Sequence, residues 1–133
     1  MTIMRVAVDN IMPLWSQIVP MIEGALNGSA THDVEDVRRM LMAQAAHLWV
    51  QWTDRVEALL ITEFVAYPKG LWLRIWLASA VQDVKLDHLS FYDMLCKWRD
   101  DNQCCGFEAL GRPGWLRKFP EFRVQGLVMR TGA

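Results

Sequence analysis

From Ala45 to Ala80 three apolar, aromatic and β-branched runs follow one another with only two breaks. The first covers 45–53, the second Val56 to Tyr67 and the third Leu71 to Ala80, and the breaks Thr53-Asp54-Arg55 and Pro68-Lys69-Gly70 have turn composition. This pattern predicts three strands in an antiparallel meander. Alternation puts Leu48, Val50 and Trp52 on one face of the first strand, with Trp49, Gln51 and Thr53 on the other. The second strand is apolar on both faces and therefore central. In the third, Leu71, Leu73, Ile75 and Leu77 share a face opposite Trp72, Arg74 and Trp76. Trp49, Trp72 and Trp76 are then expected together on one sheet face, covered by helices or by a partner.

Before the meander, Ile3 to Val8 reads as a short edge strand. Ile11, Leu14, Trp15, Ile18 and Ile22 recur at helical spacing behind an Asp9-Asn10 cap, and Asn27-Gly28-Ser29 ends the element. Pro20 predicts a kink or break near Val19. A second helix is expected behind a Thr31 cap, with Val34, Val37, Met40 and Leu41 as its buried stripe and an end near Gln44. After the meander, Asp87 caps a helix from His88 to about Gln103, and Cys105 to Leu110 forms a strand. A helix of that length between two strands is a crossover, so the strands on either side of it should be parallel neighbours. Pro113 starts a brief helix that Pro120 stops, and Phe122 to Arg130 closes the chain as a last strand.

Composition narrows the class. With 133 residues, 53% hydrophobic and 22% charged, the chain suits one α+β domain over residues 1–133 with a sizeable core. A net charge of −1 gives no basic field, so nucleic acid is not an expected partner. The amino terminus shows no secretory signal, and Glu63, Lys69 and Arg74 interrupt the apolar stretch that would otherwise suggest a membrane span. The expected setting is the cytoplasm. Cys96, Cys104 and Cys105 read as reduced thiols, and His32, His47 and His88 lack metal-ligand spacing. Arg112, Arg117, Lys118, Arg123 and Arg130 interleave with Trp115 and Phe119, but Glu108 and Glu121 dilute that cluster into a solvated surface.

The element order, read with Ile61-Thr62-Glu63-Phe64 and Tyr67-Pro68, then Leu73-Arg74-Ile75, then Gly111-Arg112-Pro113-Gly114-Trp115, resembles the GNAT superfamily of N-acetyltransferases. In particular it is similar to small GNAT-like proteins of tailed bacteriophages and prophages. The resemblance implies a mixed central sheet over almost the whole chain. It also implies a glycine-containing loop after the third meander strand, whose amides bind the pyrophosphate of acetyl-CoA. The corresponding stretch, residues 79–87, has no glycine and carries Asp83 and Asp87. No cofactor is therefore expected, and the main expectation is a phage-derived protein acting through protein contacts in the virion, its assembly or on a host target. It would be found in the virion or host cytoplasm, and would form a homo-oligomer or join a larger assembly if its tryptophans stay exposed. Trp49, Trp72, Trp76, Arg112 and Trp115 are the contact candidates. The alternative is an acyl-CoA-dependent N-acetyltransferase with an atypical loop. It would use Glu63 as general base and Gln82, Val84 and Asp87 toward the cofactor. Glu63 paired with Arg74 is the structural counterpart of that role. No metal site is expected.

Overall fold

The computed structural model describes residues 1–110, 122–126 and 128–132. Strand β1 (Thr2–Arg5) leads through a short 3-10 turn, Val8–Asn10, into helices α1 (Ile11–Leu26) and α2 (Val34–Met42). Strands β2 (Ala46–Trp52), β3 (Val56–Tyr67) and β4 (Gly70–Ala80) follow, then helix α3 (His88–Asp101) and strand β5 (Phe107–Ala109). The five strands form one sheet in the order β1-β2-β3-β4-β5. β1 to β4 are antiparallel, and β5 adds parallel to β4 with Leu73 opposite Phe107 and Ile75 opposite Ala109. The meander and the parallel crossover therefore stand as the pattern predicted.

Each face of the sheet has its own core. On one side Ile18 and Ile22 of α1 and Val37 and Leu41 of α2 bury Leu48, Val50, Leu59 and Ile61. On the other, Phe91 and Leu95 of α3 bury Trp49, Ala58, Leu60, Leu73 and Ile75. A strand apolar on both faces, as β3 is, belongs at the centre of this arrangement because either exposed face would leave apolar area in water.

Several expectations are corrected. α1 runs unbroken through Pro20. The ring and Ser16, whose carbonyl Pro20 cannot bond, both lie on the exposed side, so that carbonyl is open to solvent. Asn10 precedes α1 without a side-chain cap bond. The cap of α2 is Asp33 rather than Thr31: its carboxylate accepts from the Asp36 amide while Asp36 accepts from the Asp33 amide, each at 2.9 Å. Leu77 does not share a face with Leu73 and Ile75. Ile61 pairs with Leu77 but Thr62 with Ile75, so Trp76 is an extra residue in a β-bulge, and Leu77 joins the α1–α2 core. The three tryptophans are also split. Trp49 pairs with Leu60 and Trp72 with Val65, an odd number of residues apart on β3, which puts the two indoles on opposite faces. The expected last strand is not formed by 122–126 or 128–130, where Val124, Val128 and Met129 are exposed and offer no buried face to hold a register. The expected Pro113 helix lies outside the described residues.

Candidate functional site

The site begins where β4 and β5 part. Their pairing covers Leu73 to Ile75, and among the described residues Trp76–Ala80 has no partner on that edge of β4. The bulge at Trp76 falls at the point of parting and redirects the strand there. Gly106 leads into β5 under the Trp72 ring, so close that a Cβ would stand 3.0 Å from the ring carbon Cζ3.

Beside the opening, a charged ladder crosses three strands. Glu63, Arg74 and Glu108 are direct cross-strand neighbours on β3, β4 and β5. Arg74 Nη1 donates to Glu63 Oε1 at 3.1 Å, and Arg74 Nε donates to Glu108 Oε1 at 2.9 Å. The Tyr67 hydroxyl donates to both Glu108 oxygens, at 3.0 and 2.9 Å. Burial works to lower the Arg74 pKa, but the Glu108 hydrogen bond and the charges of Glu108 and Glu63 outweigh it and hold the guanidinium more firmly charged. Two carboxylates around one cation leave the ladder net negative, a surface that attracts a cationic group.

At the other end of the opening lies the loop 81–87, and it is tied into the protein. Gln51, only 3% exposed, accepts from the Asp87 amide at 2.9 Å and donates to the Lys85 carbonyl at 3.3 Å. The Val81 amide donates to the Glu57 carbonyl, Val84 to Val81 and His88 to Leu86. The Asp87 carboxylate caps α3, accepting from the Ser90 hydroxyl at 2.8 Å and the Ser90 amide at 3.2 Å. Those bonds, the hydroxyl first, hold its pKa below the ordinary aspartate value.

Glu63 lies in the ladder paired with Arg74, the arrangement the sequence offered beside a role as base. Gln82 is exposed in the turn, Val84 spends its amide inside the loop, and Asp87 is the helix cap. Trp49 is buried, its indole N–H donating to Thr62 Oγ1 at 3.0 Å, so it offers no contact surface. Trp72 and Trp76 are half-buried, the latter edge-on to His32. Arg112 and Trp115 lie outside the described residues. Sequence reasoning named Gln51 as a sheet-face position, Tyr67 as part of the Tyr67-Pro68 motif and Glu108 as a diluting charge, but gave none of them a role in a site. A glutamine inside an otherwise apolar run was the signal for the first, and nothing local marked the pairing of the other two.

No family model matches the sequence, and no curated protein matches it. Solved structures do match by shape. A ribosomal-protein-alanine N-acetyltransferase from Brucella melitensis biovar Abortus 2308 has a TM-score of 0.70 at 12% identity, covering 98% of this chain and 100% of that one. The fold is that of the GNAT acetyltransferases. An aminoglycoside acetyltransferase from an uncultured soil metagenomic sample gives 0.71 at 10% identity, with 99% and 94% covered. A predicted acetyltransferase from Clostridium acetobutylicum, solved with acetyl-CoA, gives 0.69 at 10% identity, with 98% and 95% covered. Among the described residues of this GNAT-fold chain there is no cluster of metal-ligating side chains, and no helix is long and apolar enough to cross a membrane.

The residues fit such a donor in one half only. Among the described residues, the edge of β4 from Trp76 to Ala80 has backbone groups without a strand partner, which an extended, amide-bearing arm could pair with. The loop does not fit a pyrophosphate, because the amides of Val81, Val84 and Asp87, and those of His88 and Ser90 at the helix start, are already bonded within the protein and the anion position at α3 holds Asp87.

Proposed function

We propose that this GNAT-fold domain transfers an acyl group from a thioester to an amine, the alternative rather than the main expectation drawn from the sequence. The observation that carries it is the juxtaposition of the negative ladder Glu63–Arg74–Glu108 with the open edge of β4. A cationic amine is drawn to the ladder by charge, and Tyr67 and Arg74 hold the two carboxylates in place. Glu63 is the base in this reading, taking the proton released as the amine becomes an amide. The thioester supplies the activated acyl carbon. The test is thiol release from acetyl thioesters over a panel of amines. Release that depends on the amine and is lost in Glu63→Gln supports the proposal, and its absence for every amine overturns it.

A second reading has its own observation, the closed acidic loop at the start of α3. On it the chain, phage- or prophage-encoded, keeps the fold without the chemistry and acts through protein contacts at Trp72, Trp76, Arg112 and Trp115. Failure to bind any thioester, together with copurification in a larger assembly, would favour it.

A further inference from the structure

We infer that this domain takes its acyl group as a pantetheine thioester and draws no affinity from the nucleotide half of coenzyme A. The inference rests on the transferase reading and narrows its donor. Recognition of a pyrophosphate requires several amides converging on its oxygens, with a glycine where the backbone must come close. Here the Asp87 amide points inward to Gln51, the Ser90 amide is used by the Asp87 carboxylate, and the Val84 and His88 amides close the loop on itself. Asp83 holds a left-handed backbone at φ 65°, the position a glycine would take most easily, and adds a second carboxylate. Lys85 is the one basic residue between Val81 and Asp87.

The clamp beneath the loop is built in. Gln51 reaches it from a central position of β2 with both ends of its amide engaged, so opening the loop would strand a buried polar side chain. The β4 edge is different. From Trp76 to Ala80 it offers about 17 Å of strand whose outward groups can pair with secondary amides of an extended arm. The recognisable part of the donor is therefore the arm and its acyl group.

Calorimetric titrations with acetyl-CoA and with S-acetyl-pantetheine test this. The two dissociation constants should agree within about threefold. Acetyl-CoA binding more than ~30-fold tighter would overturn the inference while leaving the transferase reading intact. Binding of neither would overturn both. The double variant Asp83→Gly, Asp87→Ser keeps a competent helix cap and relieves the left-handed residue. It should tighten acetyl-CoA about tenfold without moving S-acetyl-pantetheine. An unchanged ratio would mean that the two carboxylates are not what repels the nucleotide, and would refute that part of the inference.

Discussion

Replacing Arg74 by Met removes the cation from the centre of the ladder while keeping most of its packing volume. Two carboxylates that shared a guanidinium then face one another across β4. Arg74, Glu63 and Glu108 side chains are 26%, 18% and 28% exposed, so the site is neither a dry core nor a screened surface pair. Breaking a fully buried pair costs about 3–5 kcal/mol and an exposed one under ~1 kcal/mol, which places this substitution near 2 kcal/mol. For a chain of this size a urea m-value of about 1.5 kcal/mol/M converts that loss to a midpoint lowered by roughly 1.3 M. Tryptophan fluorescence reads the transition directly, since seven indoles are spread through the chain. Glu63→Gln in the Arg74→Met background should recover about half of the loss, because one of the two stranded charges is gone. A midpoint shift below roughly 0.3 M, or no recovery in the double variant, would refute the view that the ladder is a coupled electrostatic unit.

The other expectations concern the loop, a half-buried histidine and a proline. Gln51→Leu should cost about 1–3 kcal/mol and raise amide hydrogen exchange at Lys85–Ser90, and unchanged protection there would contradict the clamp. Burial first, then the charge of Arg5, lowers the His47 pKa from its ordinary value of 6.5. The unfolded chain then binds the proton more readily than the folded one, so the His47 contribution is complete above pH ~6.5 and is lost as pH falls through that value toward the folded pKa. His47→Phe should flatten this slope in urea melts at pH 7.5 and 5.5, and an equal slope would rule His47 out as its source. Pro20→Ala restores a helix donor at an exposed position and should stabilise by about 1–2 kcal/mol after the entropy gained by the unfolded chain is subtracted. A loss of stability would show that the ring packs or bends α1 to advantage.

What could be read from the sequence depended on the reach of each determinant. Alternation along 45–80 and the helical spacing of the α1 and α2 stripes are local repeats that depend on which side meets water, so they revealed the meander and the two helices before it. The length between β4 and β5 was enough for a parallel crossover, since no hairpin could span it. Asp87 was legible as a cap for the same local reason, and the lack of glycine in 79–87 already marked the loop as unusual. Tertiary structure decided the rest. One extra residue at Trp76 moves Leu77 to the other face, and only the pairing with Ile61 shows where that residue falls. Pro20 is tolerated because the α1 surface it occupies faces water, a fact that its helical pattern does not contain. Gln51 meets Asp87 36 residues away and Tyr67 meets Glu108 41 residues away. Contacts of that span leave no periodic trace, because they arise only when the sheet brings separate strands into register.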